Sequence, residues 1–217
     1  VVPVLLSAGA QLDQAGRCGR TPICIARARG HAAAVDALLS AGADVNQASE
    51  DGVTPLLMAS EDGHAEVVAA LVSAGADVNQ ADNDGDTPLL CAVRIGHSDI
   101  CSYIINNVDE NKKNPANQIG FTPLHYAAVL NNLKIYKLIA ENVEDKHPQD
   151  DMGITPLHIA VQNGHLDICN YVSEKIVKKE DIHPRLSLKI TIVAINTFKE
   201  VIELKDSLIK LLEKHCI

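Results

Sequence analysis

Nine histidines and 28 acidic residues in a chain of 217 supply many groups for general acid–base catalysis or metal binding. One stretch, Asp82-Asn83-Asp84-Gly85-Asp86, also has the alternating oxygen donors that open a Ca²⁺ loop. Spacing argues against each. The acidic stretch lacks the later Glu that would close such a loop. His31, His64, His97 and His165 each follow a glycine and stand ten residues after the Thr of a Thr-Pro pair, so position accounts for all four. His125 and His158 recur in TPLHYA and TPLHIA. His147 and His183 lie in the similar loop strings EDKHP and EDIHP, and neither is read as a ligand or a base. There is no GxSxG, HExxH, phosphate-binding loop or Gly-rich dinucleotide turn. The chain is therefore expected to have no catalytic residues, no cofactor and no metal, and not to be an enzyme.

The six cysteines (Cys18, Cys24, Cys91, Cys101, Cys169 and Cys216) form no CxxC pair and show no zinc spacing. Cys101 and Cys169 each lie 14 residues after a Thr-Pro threonine, which makes them equivalents and not a bonded pair. They read as reduced, mostly buried thiols, and so point to the cytoplasm or nucleus. A net charge of −9 argues against an electrostatic hold on nucleic acid or an anionic membrane. No apolar run approaches the roughly 20 residues of a membrane span, and no signal peptide is apparent. The chain begins at Val1, and VVPVLLSAGA matches the middle of a repeat, so a piece of a longer chain is expected.

What positions these residues is a repeat. SAGADVNQA occurs at Ser40–Ala48 and again at Ser73–Ala81, with a degraded copy, SAGAQLDQA, at Ser7–Ala15. Thr-Pro pairs start at Thr21, Thr54, Thr87, Thr122 and Thr155, at intervals of 33, 33, 35 and 33. Gly19, Gly52, Gly85, Gly120 and Gly153 stand two residues before them, and Gly30, Gly63, Gly96 and Gly164 nine after, with Asn131-Asn132 replacing Gly-His in the remaining unit. Thr N-caps a helix and Pro at its first position gives up an amide that has no partner there. A left-handed glycine stops it. A second helix follows, HAEVVAALVSAG for example, with Val67, Val68, Leu71 and Val72 on one face. ADVNQADNDG then returns as an extended loop. One unit is helix, turn, helix, hairpin-like loop. It cannot bury its apolar face alone, whereas stacked copies can. The makeup, 47% hydrophobic but 3% aromatic and without Trp, suits closely stacked helices.

With TPLHYA at Thr122–Ala127 and TPLHIA at Thr155–Ala160, the chain closely resembles the ankyrin repeat family. Units at Thr21, Thr54 and Thr87 read TPIC, TPLL and TPLL, and lack the His that in the family bridges neighbouring loops. The resemblance implies an all-α solenoid over residues 1–177, with a partial unit at 1–18 and units starting near 19, 52, 85, 120 and 153. Residues 178–217 are expected to form a degenerate capping repeat or C-terminal helical extension. Composition changes near residue 106: the first 105 residues hold five Arg, no Lys and thirteen acids, and so carry −8 of the −9. The two residues that lengthen one interval fall near Asn111–Lys113, in a loop, where insertion costs little.

The resemblance also implies protein binding without catalysis, through loop tips and the exposed side of the inner helices. Carried onto this sequence, those positions are Arg17, Cys18, Arg20 and Arg29 in unit one, and Glu50, Asp51, Glu61 and Asp62 in unit two. Unit three has Asn83, Asp84, Asp86 and Arg94, and unit four Gln118, Ile119, Phe121, Val129 and Leu130. Unit five has Asp151, Met152 and Ile154. The order runs basic, acidic, acidic, apolar, mixed. It fits a partner segment with Lys or Arg flanking an apolar anchor. Solvated charge and repeat-to-repeat packing by Phe121 are the plainer alternatives. Asn46 and Asn79 resemble targets of asparaginyl hydroxylases. A monomer is expected. The competing functions are a targeting or regulatory arm of a larger enzyme or channel, and a structural spacer.

Overall fold

The computed structural model describes residues 11–16, 19–27, 30–108 and 115–177. Arg17, Cys18, Arg29, the inserted residues near 111–113 and the expected cap at 178–217 lie outside the described residues. Within them the architecture is all helical, ten helices and no strand. Five inner helices alternate with five outer ones: α1 (Pro22–Arg27), α3 (Pro55–Asp62), α5 (Pro88–Ile95), α7 (Pro123–Val129) and α9 (Pro156–Gln162) are inner. The outer ones are α2 (Ala32–Ser40), α4 (Ala65–Ser73), α6 (Ser98–Asn107), α8 (Leu133–Asn142) and α10 (Leu166–Val177). Each inner helix packs on the next inner helix, each outer helix on the next outer one, and each pair against itself. None is long and apolar enough to cross a membrane.

The repeated letters occupy repeated slots. Ile23, Leu56, Leu89, Leu124 and Leu157 form one column of buried side chains two residues after the threonines. Ala59, Ala92, Ala127 and Ala160 form another, all fully buried. A column of methyl groups lets the helices of one unit lie close to those of the next, and so keeps the core continuous with few aromatic rings. On the outer helices Val35, Val68, Cys101, Tyr136 and Cys169 share a third slot, all buried. Cys101 and Cys169 are therefore packing residues. Among the described residues Cys24, Cys91, Cys101 and Cys169 are buried free thiols. Val67, Val68 and Leu71 of α4 are buried as expected, but Val72 only partly.

The ends of the helices follow the sequence marks. Thr54 and Thr87 accept the amides of Leu57 and Leu90 at 3.1 and 3.4 Å. Gly63 ends α3 in the left-handed region at φ 80°. The ring of His97 lies over it, so a Cβ on Gly63 would sit 2.6 Å from His97 Cε1. His97 Nε2 also donates to the carbonyl of Glu61 at 3.1 Å. Gly-His is thus a clasp between units, with the histidine of one closing over the glycine of the previous one. Asn131 takes the left-handed place at φ 53°, as its glycine-like tolerance predicts. Asn132 differs from the histidines: its Oδ1 accepts the amide of Ile135 at 3.1 Å and caps its own helix.

Candidate protein-binding surface

The loop tips form the most regular polar structure of the stack. Each is a tight turn closed by its own backbone: Ser49 to Val53, Asp82 to Asp86, Asn117 to Phe121 and Asp150 to Ile154, at 2.9–3.0 Å. The first side chain of each turn seals it. Asp82 Oδ1 accepts the amides of Asp84 and Asp86 at 3.0 and 2.9 Å. Asn117 and Asp150 do the same for Ile119 with Phe121 and for Met152 with Ile154. The Oδ1 of Asp82, which resembled a cation ligand, is thus engaged in holding a turn. Among the described residues, no three His, Cys, Asp or Glu side chains converge on a metal position.

Successive tips are tied to one another by backbone. The amides of Asn83, Gln118 and Asp151 donate to the carbonyls of Asp51, Asp84 and Ile119 at 3.1, 3.1 and 3.3 Å. Asn83 Nδ2 also reaches the carbonyl of Glu50 at 3.2 Å, and Gln118 Nε2 donates to the carbonyl of Asn83. With turns closed and tips joined, the side chains of Glu50, Asp51, Asp84, Ile119 and Met152 stand out from a fixed row. Arg20, in unit one, is exposed as well.

The inner-helix side is arranged differently. Arg27 is buried and pairs with Asp62 of the next unit. Arg94 Nη2 reaches back to Glu61 at 3.1 Å, and its Nε lies 4.0 Å from Asp86. Two of the acids expected in an open patch are therefore engaged by arginines on either side. Arg27 was missed as a partner because it lies six residues after its threonine, off the expected positions. Asp86 also accepts from Asn117 Nδ2 at 3.0 Å, and Asn117 Nδ2 in turn reaches the Tyr126 hydroxyl at 3.3 Å. Arg94 lies 3.8 Å from Cys91 Sγ, yet burial pushes that thiol up to about 12, so it stays protonated and is no nucleophile.

Phe121 makes ring contacts within its own unit. Its ring stacks on His125 at 5.0 Å and meets Tyr126 edge-on at 5.3 Å. Other apolar side chains at the predicted positions are open: Ile119 is 58% exposed, Leu130 45%, Val129 42%, and Met152 83%. Ile95, 49% exposed, was missed, although it stands eight residues after Thr87, at a position already in use for the other units.

His125, fully buried, joins units four and five. Its Nδ1 accepts the amide of Thr122 at 3.1 Å and its Nε2 donates to the carbonyl of Ile154 at 3.0 Å. Burial lowers its pKa. His158 Nδ1 likewise accepts from Thr155, at 3.2 Å. Asn46 Oδ1 accepts the amide of Asp77 in the next unit at 2.9 Å, the bond that Asp13, its equivalent in the degraded copy, makes to Asp44 at 3.0 Å.

A family model of ankyrin repeats (3 copies) matches residues 1–82, 74–150 and 115–185. No curated protein matches the chain. The matches together run from residue 1 to residue 185, over the same helix–turn–helix–loop units that stack here, and the chain belongs to the ankyrin-repeat family.

Proposed function

We propose that the chain is a non-catalytic module that holds a partner protein through its loop tips and the open side of its inner helices, and that the partner brings a basic segment. Ankyrin repeats are generally protein–protein interaction modules and typically non-catalytic. The row of tied loop tips is the observation that carries the proposal. Glu50, Asp51, Asn83, Asp84, Gln118, Ile119, Asp151 and Met152 are all exposed on it. A backbone ordered before the partner arrives reduces the ordering cost of binding. The tips of units two and three are acidic, which steers a basic partner and repels an acidic one.

Affinity capture with two baits tests this: the native chain, and one carrying Glu50→Lys with Asp51→Lys. Both changes are at exposed tips, so both baits keep the same helical circular dichroism. A protein retained by the native bait and lost from the variant is the expected result. The same proteins on both baits would remove the acidic tips from the binding surface. Empty captures from two folded baits would remove the module itself.

A further inference from the structure

The loop tips change character along the stack, acidic in units two and three and apolar at Ile119 in unit four. Glu61 and Asp62 are already paired with Arg94 and Arg27. Glu50, Asp51 and Asp84 are exposed, and no ion pair reaches them among the described residues. The tips of units two and three thus carry three uncompensated acids, and that of unit five carries one, Asp151. Unit four is different in kind. Ile119 at its tip and Val129 and Leu130 at the end of its inner helix are exposed, with the half-buried Phe121 and Tyr126 between them in sequence. Ile95 and Met152 extend the apolar character to the flanking units.

Scattered exposed apolar residues, such as Ile25 and Leu166, need no explanation, but three on the tip and inner helix of one unit do. The turn does not require them. Asp51 and Asp84 hold the tip position that Ile119 holds, in turns closed by the same backbone bond and tied to the next tip in the same way. An isoleucine there gives up a solvated charge for exposed hydrocarbon, a change that favours a bound side chain over water.

Resting on the protein-binding function above, we propose that unit four is an anchor subsite for one large apolar side chain of an extended partner segment, whose Lys or Arg residues lie over units two and three against Glu50, Asp51 and Asp84. The charged side fixes which way the segment's basic part lies, and the apolar side supplies most of the affinity.

A phage-displayed library of random peptides, panned against the whole chain, tests the chemistry directly. Enriched peptides are expected to share a large apolar residue with Lys or Arg clustered to one side. A synthetic peptide of that kind should bind Ile119→Asp and Leu130→Asp about tenfold or more weakly. Both variants should keep native circular dichroism and melting temperature. Glu50→Lys with Asp84→Lys should weaken binding at low salt and flatten its salt dependence. Enriched peptides that are acidic, or that bind Ile119→Asp and Leu130→Asp undiminished, overturn the anchor while leaving a binding module in place. A folded chain that enriches nothing overturns both. Sedimentation showing a dimer that Ile119→Asp abolishes would assign the strip to a second copy of the chain instead.

Discussion

The ring of His125 joins two units through its two nitrogens, Nδ1 accepting from the amide of Thr122 at 3.1 Å and Nε2 donating to the carbonyl of Ile154 at 3.0 Å. Only the neutral ring with its proton on Nε2 can do both. His125→Leu removes the joint, but the loss is partial. The carbonyl of Ile154 keeps the amide of Asp150 at 2.9 Å, and Thr122 can turn to cap the helix as Thr54 does for Leu57. A destabilisation of about 1 kcal/mol is expected, read as a lower midpoint in urea with unchanged slope.

Acid should weaken the fold through the same ring. Burial lowers the pKa of His125, and also of His147, below the ordinary 6.5. Between 6.5 and the lowered folded value, the unfolded chain takes up protons that the folded chain refuses. Stability is therefore full above about pH 6.5 and declines as pH falls through that window. Asp150 and Asp145 oppose the shift at His125 without cancelling it. Denaturation midpoints between about pH 7 and pH 5 should fall less steeply in His125→Leu than in the native chain.

Two glycine substitutions separate strain from crowding. Gly75 and Gly63 have φ of 90° and 80°, but a Cβ on Gly75 meets nothing within 4 Å whereas one on Gly63 meets His97. Gly75→Ala should cost about 1 kcal/mol from backbone strain alone. Gly63→Ala should cost more, about 2 kcal/mol or above, because the His97 ring must also leave its clasp. Adding His97→Ala should then cost less than its effect in the native background. Simple additivity across that double-mutant cycle would contradict the clasp.

Arg27 and Asp62 should behave unequally. Arg27 is 3% exposed and its partner 39%. Asp62→Ala leaves a buried guanidinium with the carbonyl of Cys24 as its remaining acceptor, and should destabilise by about 1–3 kcal/mol, the lower end reflecting the exposure of Asp62. Arg27→Met in the Asp62→Ala background should recover part of that loss, since no charge is then left buried. Thermal melts of the three proteins check the order.

Asn46 can be tested against its own equivalent. Asn46→Ala removes the acceptor for the Asp77 amide and should cost about 1 kcal/mol, whereas Asn46→Asp should be near neutral, because Asp13 makes the same bond in the preceding copy. Hydroxylation of Asn46 and Asn79 remains a separate proposal. Mass spectrometry after coexpression with an asparaginyl hydroxylase tests it through a +16 species on either residue.

The fold was legible because every unit repeats one geometric solution: Thr, Pro, Gly and Ala each mark a slot where backbone conformation or close approach admits little else. The surface was legible only in outline. Sequence positions give which side chains face outward, but not which of them find partners. Glu61 and Asp62 look like open charge until the stacking brings Arg94 and Arg27 alongside, residues 33 and 35 positions away. Phe121 illustrates the same limit, since its ring contacts depend on ring orientations at His125 and Tyr126. The turn-sealing role of Asp82, Asn117 and Asp150 had a signal, a short polar residue five positions before each Thr, and it was passed over.

In a linear array, cooperativity depends on the coupling between neighbours as well as on the strength of each unit. Asn132 shifts that balance at one place. By capping its own helix, where His97 clasps the preceding glycine, it places its side-chain bond inside unit four and not across the boundary with unit three. The loop-tip and inner-helix contacts across that boundary remain, so the stack stays continuous. Under denaturant or mechanical load this boundary relies on those contacts, and on Lys134 Nζ reaching Ser98 Oγ at 3.2 Å, in place of a clasp. Parting there would separate Glu50, Asp51 and Asp84 from Ile119, Val129 and Leu130.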